Sequence, residues 1–475
     1  MIWTAQELGK ALSQEIFIEG KSADKTSAEL SLDSSKEFGK LQFNSKDIQQ
    51  GDIFIALQGV RDGHDFVSDA LQRGASIAIV SKAIDGVDRD RLIIVNNTFE
   101  ALMDLAEYKR RSSKAKFIAI TGSVGKTSTK EAAKIMLSAY GKTYASYGNF
   151  NNHLGVPLCL ASMPSDIEYA IIEMGMSAKG EISELSKLVI PDIALITSIS
   201  EGHIASFNSI DEITDAKCEI FEGLDINEGI AIVNRDIKTY DRCIKNIDRA
   251  NIQNVKTYGK HEAANVRSYS SEILEGDLLR VSYIIQDEEL ELSLPLIPIH
   301  LAENFAGAFA ILLALKLDIE AGATAISTFT PAAGRGGLAS IKGDKNYRII
   351  CDYYNANPES MKAAIEYISL FDNKNKFAIL GDMLELGKFE RELHLNLVPY
   401  IVNSGIKKLF LIGERMKLLC DEFESDIEVL WFKDSDSLVL EIDKYISGGE
   451  LILIKGSRGM KLEKIASRLG VQNAI

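Results

Sequence analysis

A short apolar strand leads directly into a glycine-rich turn and a helix in the stretch Phe117-Ile-Ala-Ile-Thr-Gly-Ser-Val-Gly-Lys-Thr-Ser128. Four apolar residues in a row are typical of a buried parallel strand, and residues 127–139 have the composition of a helix. Backbone N–H groups at such a turn point toward a bound phosphate, and the helix N-terminus adds positive potential. The stretch therefore predicts a parallel sheet with a phosphate site at the end of one strand.

The turn is a shortened variant of the common phosphate-binding loop. The usual spacing is G-x-x-x-x-G-K-[ST], whereas only two residues separate Gly122 from Gly125 here. Lys126 is expected to reach the β and γ phosphates of ATP, and the Thr127 hydroxyl to bind Mg²⁺. An ordinary strand–turn–helix corner is the alternative, but the strand and helix on either side favour the phosphate site. The expected ATP-binding residues of the loop are Thr121, Gly122, Ser123, Val124, Gly125, Lys126, Thr127 and Ser128.

Apolar runs that alternate with helix-like segments predict an α/β protein of three domains. A small N-terminal α/β domain is expected at 1–112, with a helix at 99–108 and a polar linker at 109–114. The central ATP-binding domain, at 113–330, is predicted to have a parallel sheet with helices on both faces, followed by hairpins at 265–294. A glycine-rich hinge at 331–337 then leads into a doubly wound, Rossmann-like domain at 331–475. The predicted strands are 52–57, 77–80, 117–120, 170–172, 193–196, 229–233, 348–351, 376–380, 408–412 and 451–454.

The overall composition excludes several classes of protein. The 53 Lys and Arg residues against 68 Asp and Glu give a net charge of −15, which would repel nucleic acid and anionic membranes. No apolar run approaches the roughly 20 residues of a membrane helix, and the N-terminus does not resemble a signal peptide. The five cysteines are scattered without a C-x-x-C pair, which is typical of reduced thiols. We therefore expect a cytoplasmic monomer with no nucleic-acid partner and no membrane insertion.

Three polar residues follow or lie beyond the strands of the central block. Glu173 comes directly after the strand at 170–172, where a carboxylate next to the loop can bind Mg²⁺. His203 follows the strand at 193–196, and a lone histidine in such a place is more often structural than a metal ligand. Lys217 lies in an amphipathic segment, where a solvated lysine is the ordinary interpretation. Of these three residues, only Glu173 is assigned to a metal from its chemistry alone.

The order of motifs along nearly the whole chain resembles the Mur ligase family, whose members build the peptide stem of bacterial cell-wall precursors. The motifs of the central domain and the glycine-rich hinge are the 121–127 loop, Gly148-Asn-Phe-Asn-Asn152, Glu173-Met-Gly175, His203, Ala216-Lys217 and Gly334-Arg335. The C-terminal motifs are similar to those of the last ligase of the series, which joins D-alanyl-D-alanine to UDP-N-acetylmuramoyl-tripeptide. They are Tyr354-Asn-Ala-Asn-Pro358, Gly381-Asp-Met-Leu-Glu-Leu-Gly387 and Lys455-Gly-Ser-Arg-Gly-Met460.

The resemblance implies that ATP phosphorylates the tripeptide carboxylate and that the amine of D-alanyl-D-alanine attacks the acyl phosphate. Positioning and charge neutralisation then provide most of the catalysis. The implied catalytic residues are Lys126, His203, Lys217 and Arg335. Two Mg²⁺ ions are implied, with Thr127, Glu173, His203 and Lys217 as ligands. Lys217 is expected to be carbamylated, because a neutral, desolvated lysine amine reacts with CO₂.

The resemblance also implies where the nucleotide and the substrates bind. Asn304 is expected to contact adenine and Arg335 the γ-phosphate, while Asp352, Asn355 and Asn357 serve the ribose or the incoming dipeptide. The UDP part is assigned to Ser45 and Lys46 of the first domain. The sugar–peptide part is assigned to Asn149, Asn151 and Asn152, although these asparagines could equally cap their own backbone.

Four positions depart from the family pattern: Lys46 replaces an arginine, Ala205 a glutamate, Leu301 an asparagine and Cys351 an acidic residue. Lys46 loses the bidentate phosphate geometry of arginine. Two alternatives remain: a sister ligase that adds a diamino acid or a glutamate, and an inactive nucleotide-binding regulator. The Asp-Asn-Pro-Arg stretch of the diamino-acid ligase is absent, and retention of Lys126, Glu173 and Lys217 argues against the regulator. The third residue of the tripeptide, lysine or diaminopimelate, is left open.

Overall fold

The computed structural model describes residues 2–12, 36–200, 207, 209–275, 277–343, 345–423 and 426–472. Its strands are β1 Trp3–Thr4, β2 Glu37–Phe38, β3 Leu41–Gln42, β4 Ile53–Ile55, β5 Ile77–Val80, β6 Leu92–Ile94, β7 Lys116–Thr121, β8 Thr143–Ala145, β9 Tyr169–Glu173, β10 Ile193–Ile196, β11 Ile230–Asn234, β12 Asn254–Gly259, β13 Val266–Leu274, β14 Leu278–Ile285, β15 Glu288–Pro295, β16 Gly337–Ile341, β17 Tyr347–Asp352, β18 Lys376–Gly381, β19 Ile406–Ile412, β20 Glu428–Phe432 and β21 Leu451–Lys455.

The helices of the described residues are α1 Ala5–Ala11, α2 Val67–Gln72, α3 Thr98–Ser112, α4 Lys126–Leu137, α5 Gly155–Ala161, α6 Glu181–Val189, α7 Ile210–Cys218, α8 Tyr240–Arg249, α9 Ile299–Ala314, α10 Ile319–Ile326, α11 Pro358–Ser369, α12 Glu390–Leu395, α13 Val398–Val402, α14 Ser435–Val439 and α15 Glu463–Arg468. A membrane-crossing helix would have to be longer and more apolar than any of these.

The N-terminal part has a parallel sheet in the order β3-β4-β5-β6, beside the antiparallel pair β1-β2. Strand β5 is buried along its whole length, as expected for a parallel strand covered on both faces. Helix α3 packs on this sheet and also against α5 of the central part. The N-terminal sheet and the central sheet are therefore joined through one helix.

The prediction of a polar linker at 109–114 was wrong over its first four residues, because α3 continues to Ser112. Lys109 is 2% exposed, its ammonium donates to the Ile2 carbonyl at 2.5 Å, and it lies 4.2 Å from the centre of the Trp3 ring. Arg110 donates to the Ile190 carbonyl at 2.6 Å. The cations thus have acceptors at the helix end, so a basic stretch that looks like a linker remains helical.

The central sheet has nine strands in the order β15-β14-β13-β12-β11-β10-β7-β9-β8. All neighbouring strands from β8 at one edge across β7 to β13 are parallel. Strands β14 and β15 extend the sheet as an antiparallel meander. Alternate residues of β7 enter separate cores: Ile118 and Ile120 pack on the side of α4 and α9, whereas Phe117 and Ala119 pack on the side of α5 and α6. This confirms helices on both faces.

The C-terminal sheet has the order β16-β17-β21-β18-β19-β20, and all its pairs are parallel except β16 with β17. Buried clusters cover its two faces, which confirms the doubly wound arrangement. The neighbouring strands β17, β21 and β18 end together at Asp352, Lys455 and Gly381. The three C-terminal motifs that follow these strands therefore meet at one edge, as the strand-end rule for open α/β sheets requires.

Candidate active site

The predicted phosphate loop follows the central strand β7 and is shaped by two glycines. Gly122 has φ 155° and Gly125 has φ 86°, and residues with a side chain rarely adopt these values. A Cβ atom on Gly122 would lie only 1.9 Å from the Thr197 hydroxyl oxygen. The turn therefore depends on glycine both for its backbone conformation and for its close approach to the segment after β10.

The segment after β10 holds the loop through hydrogen bonds. The Ser123 N–H donates to the Ser198 carbonyl at 2.8 Å, and the Val124 N–H donates to the Ser198 hydroxyl at 2.9 Å. In the described part of the chain, the N–H groups of Lys126 and Thr127 have no acceptor. These two groups open helix α4, so they remain available for an anion.

The Lys126 side chain folds back over its own loop. Its ammonium donates to the Gly122 carbonyl at 2.7 Å, with the Ser123 carbonyl at 3.4 Å. The protein around the ammonium lowers its pKa, as does Arg335, whereas Glu173 raises it. The lysine thus lies across the cradle where phosphate oxygens would replace the two carbonyls as its partners.

A hydroxyl and a carboxylate meet beside the loop, as predicted. Glu173 ends β9, directly next to Ile120 of β7. Its carboxylate accepts from the Thr127 hydroxyl and from the Asn151 amide, each at 2.9 Å. Mg²⁺ prefers oxygen ligands and is usually held by one or two carboxylates together with phosphates and water. Thr127 and Glu173 therefore fit a Mg²⁺ site, although no group of three His, Cys, Asp or Glu side chains forms such a site among the described residues.

A buried lysine that the sequence did not predict lies next to Glu173. Lys130 is 1% exposed, and its ammonium donates to the Ser146 carbonyl at 2.7 Å and lies 3.7 Å from the Glu173 carboxylate. The Ser146 hydroxyl in turn accepts from the Glu173 N–H at 3.0 Å. Lys130 lies one helical turn after Lys126, and this i+4 spacing on a helix that opens at the loop was the available signal.

The two residues expected to form a second metal site have different outcomes. His203 lies outside the described residues. Lys217 is on α7 and is 3% exposed, so the interpretation as a solvated lysine is excluded. Burial lowers its pKa well below the ordinary range, and Lys126 lowers it further. No described carboxylate forms an ion pair with Lys217. A neutral amine that can react with CO₂ fits these surroundings.

A cavity lies between α9 of the central sheet and α11 of the C-terminal part. Asn304 lies in it beside Gly125, and its amide donates to the Ser128 hydroxyl at 3.2 Å. Residues of both parts form the wall of the cavity, including Tyr258, His300, Asn304, Glu359, Ser360 and Ala363. Val124 and Gly125 of the loop also line the cavity, so it opens beside the phosphate site, and the contact of Asn304 with adenine stays a prediction.

The predicted residues after β17 lie at the C-terminal sheet edge. Asp352 pairs with Lys455 at 2.7 Å, and Lys455 also donates to the Asn355 carbonyl at 3.2 Å. The Asn357 side chain caps α11 by accepting from the Ser360 N–H at 2.8 Å. His300 of α9 faces this edge, and burial lowers its pKa to about 4 despite the opposing effect of Asp352.

Arg335 does not touch the loop. Its guanidinium carbon lies 3.9 Å from the centre of the Tyr354 ring. Gly334 and Gly336, with φ of 71° and 90°, place the arginine between the two parts, and the Gly336 N–H donates to the Cys351 carbonyl at 2.7 Å. Arg335 nevertheless lies close enough to the loop to lower the pKa of the Lys126 ammonium, and its contact with the γ-phosphate stays a prediction.

The residues predicted to bind the UDP-linked substrate lie on two neighbouring surfaces. Ser45 and Lys46 form a turn of 3₁₀ helix before β4, with Ser45 buried and Lys46 exposed. Asn149 is exposed, Asn151 holds Glu173, and Asn152 caps the start of α5 by accepting from the Gly155 N–H at 2.9 Å. The capping interpretation thus describes Asn152, and the substrate roles of all five residues stay predictions.

Two departures from the family pattern have a structural explanation. Leu301 is 6% exposed and packs in the core beneath α9, which accommodates an apolar residue. Cys351 is also buried, and burial raises the pKa of its thiol to about 12, so it stays neutral. Ala205 lies outside the described residues, and Lys46 is solvent-exposed as an arginine there would be.

Comparison with known families and proteins agrees with this geometry. The Mur ligase middle domain matches residues 120–312, and the Mur ligase, glutamate ligase domain matches residues 338–458. The chain is 44% identical to the UDP-N-acetylmuramoyl-tripeptide–D-alanyl-D-alanine ligase of Rickettsia prowazekii, over 98% of this chain and 99% of that protein. It is 34% identical to the ligase of the same name in Bacillus subtilis, over 90% and 92% of the two chains.

Solved structures show the same three-part arrangement. A crystal structure of MurF from Acinetobacter baumannii matches with a TM-score of 0.82 and 28% identity, covering 99% of both chains. MurF ligase from Thermotoga maritima in complex with ADP matches with a TM-score of 0.76 and 25% identity, covering 90% of this chain and 96% of that one. From its sequence, its fold and the geometry of its phosphate loop, this chain belongs to the Mur ligase family.

Proposed function

We propose that the protein is an ATP-dependent ligase that joins D-alanyl-D-alanine to UDP-N-acetylmuramoyl-tripeptide in peptidoglycan precursor synthesis. The observation that carries this proposal is the 44% identity along 98% of the chain to a relative with that name. The loop, Glu173 and the C-terminal motifs supply the groups that such a reaction needs.

The reaction is amide formation from a carboxylate, which is a poor electrophile. A carboxylate oxygen of the tripeptide attacks the γ-phosphorus of ATP, and the bond to ADP breaks. The amine of the dipeptide then attacks the carbonyl carbon and loses a proton, and inorganic phosphate leaves with the former carboxylate oxygen. Because the protein forms no covalent bond, its task is to position the reactants and to neutralise charge.

The loop residues would hold the triphosphate. The free N–H groups at the start of α4 and the Lys126 ammonium neutralise the phosphate charge. Thr127 and Glu173 would hold Mg²⁺, which would supply positive charge to neutralise the phosphates. Asn304 would contact the base in the cavity beside Gly125.

Lys217 is proposed to carry a carbamate and to hold a second Mg²⁺ together with His203. Its burial and its depressed pKa support this, because a cation next to Lys126 would be repelled whereas a carbamate anion would be attracted. Carbamylation would therefore convert a neutral amine into an anion that attracts the Lys126 ammonium.

The proposed domains are 1–112 for the UDP part, 113–330 for ATP and 331–475 for the incoming dipeptide. The third is proposed to close over ATP, since its α11 and the central α9 face each other across the cavity. Closure at the glycines near Arg335 would bring that guanidinium from the Tyr354 ring toward the γ-phosphate. A cytoplasmic location is proposed with the soluble substrates that these steps use.

The test is a reaction with ATP, D-alanyl-D-alanine and UDP-linked tripeptides that end in lysine or in diaminopimelate. The proposal expects phosphate release only when all three substrates are present, and a product with the mass of the pentapeptide precursor. Lys126→Met should abolish both signals. As a matched control, Lys134→Met on the exposed side of the same helix should retain them. Product formed from a shorter UDP-linked precursor and a free diamino acid, or from a folate and glutamate, would identify a sister ligase instead.

A further inference from the structure

Two guanidiniums meet on one tyrosine ring at the edge of the C-terminal sheet. The guanidinium carbon of Arg335 lies 3.9 Å from the centre of the Tyr354 ring, and that of Arg458 lies 5.5 Å from it. The Tyr354 N–H donates to the Gly334 carbonyl at 2.9 Å, which fixes the ring next to the arginine segment. Residues that are far apart in the sequence thus form one positively charged surface.

Neither arginine is neutralised by a neighbouring acid. In the described part of the chain, Arg335 and Arg458 form no ion pair, whereas Arg415 pairs with Glu390 and Arg468 with Asp443 in the same domain. Asp352, at the end of the neighbouring strand β17, pairs with Lys455 instead.

Arg458 is exposed and has no carboxylate partner among the described residues, although the chain has a net charge of −15. Stacking on an aromatic ring holds a guanidinium by its face and leaves its N–H edge free to bind an anion. Arginine binds carboxylates through two parallel hydrogen bonds. The Arg458 guanidinium is therefore available to bind an anion.

The surface lies at the correct edge for a substrate. Arg458 follows β21, whose end pairs with the end of β17 at Lys455 and Asp352. His300 of the central α9 faces the same two residues. Since Arg335 is already assigned to the γ-phosphate, Arg458 is left for a different anion on the side of the third domain.

The chemistry of the reaction supplies one. The incoming dipeptide must present its amine to the acyl phosphate, and its own carboxylate then lies about 7 Å away, the span of two extended residues. We infer that Arg458 binds the carboxylate of the incoming dipeptide and selects amine substrates that end in a free carboxylate. The inference rests on the proposed function.

The test compares D-alanyl-D-alanine with its C-terminal amide in wild-type protein and in Arg458→Met. The wild-type protein should use the amide with a kcat/KM roughly 10- to 100-fold lower, the effect of losing hydrogen bonds to a charged group. Arg458→Met should use both dipeptides with the same low kcat/KM, while its KM for ATP and for the tripeptide substrate stays unchanged. Arg458→Lys, which keeps the charge but loses the paired geometry, should discriminate partially.

Arg468→Met is the matched control, because that arginine is exposed in the same domain but pairs with Asp443. It should retain the wild-type discrimination between acid and amide. Retained discrimination in Arg458→Met, or a loss that falls on the KM for ATP, would overturn the inference. If Arg458→Met fails to fold, the Arg458→Lys ratio decides in the same way. Wild-type product without discrimination refutes this inference alone, whereas wild-type protein that makes no product refutes the proposed function as well.

Discussion

Removal of the buried Lys130 charge should destabilise the central domain and disturb Glu173. The two side chains are 1% and 5% exposed, and the ammonium lies 3.7 Å from the carboxylate. Unit charges at that separation attract by about 4 kcal/mol at an effective dielectric constant near 20. Loss of one partner of a buried pair costs about 3–5 kcal/mol. Glu131 also lies 3.2 Å from the ammonium and would lose the same partner. We therefore expect Lys130→Met to lower the free energy of unfolding by about 3 kcal/mol.

A double-mutant cycle isolates the pair. Lys130→Met and Glu173→Gln each leave a buried partner uncompensated, so the double variant should be less destabilised than the sum, by about 1–3 kcal/mol. Urea unfolding followed by circular dichroism measures the three differences from wild type. The matched control is the exposed pair Lys142 and Asp166, for which methionine and asparagine substitutions should show no measurable coupling.

Additive destabilisation by Lys130→Met and Glu173→Gln would refute the reasoning, because it would mean that the lysine does not stabilise the carboxylate. A second readout concerns the metal. The increase in melting temperature that Mg²⁺ adds to that of ADP alone should disappear in Glu173→Gln and should be smaller in Lys130→Met. An unchanged increase in Glu173→Gln would show that this carboxylate is not a metal ligand.

Three further predictions concern other charged side chains of the site. Lys217→Ala should abolish turnover, and bicarbonate should partly restore wild-type activity lost in CO₂-depleted buffer; an active variant would contradict carbamylation. His300 has its pKa lowered to about 4, so the unfolded chain takes up the proton first and stability falls as the pH drops from 6.5 toward 4, by at most about 3 kcal/mol. Urea unfolding at pH 7 and 4.5 should show a smaller loss for His300→Gln, and equal losses would contradict this. Lys126→Met should weaken ADP binding roughly 10- to 100-fold in calorimetry, and unchanged affinity would place the phosphates elsewhere.

The parts of the fold that could be predicted are those buried on both faces. The strands predicted at 77–80 and 193–196 agree with Ile77–Val80 and Ile193–Ile196 at both ends. Such strands are continuous apolar runs, so their limits can be read directly from the chain. The position of Glu173 beside the loop was predictable for a related reason, because the carboxyl ends of parallel strands share one edge.

Strands at the margins of the sheets were not predicted. Examples are the edge strands β8 Thr143–Ala145 and β16 Gly337–Ile341, which are short or contain polar residues. Such segments become strands because a neighbouring strand offers unpaired N–H and C=O groups, not because of their own pattern. The helix end at 109–112 was missed for the same reason: its cations are bound by carbonyls from distant parts of the chain.

In the site, the sequence predicts which residues carry charge but not how they pair. The i+4 spacing from Lys126 indicates only the helix face of Lys130. Its contact with Glu173, and the Tyr354 ring shared by Arg335 and Arg458, depend on the packing of separate segments. Asn357 has a structural role that was not predicted: its side chain caps α11, which the following Pro and Ser already indicate.

Activation of the tripeptide carboxylate by ATP as an acyl phosphate can be tested by following one oxygen atom. The tripeptide substrate is labelled with ¹⁸O in its terminal carboxylate and incubated with the protein, ATP and D-alanyl-D-alanine, and the inorganic phosphate is analysed by mass spectrometry. An acyl-phosphate intermediate predicts one ¹⁸O atom in each phosphate released, because the former carboxylate oxygen leaves with phosphorus. Unlabelled phosphate accompanying product formation would contradict it.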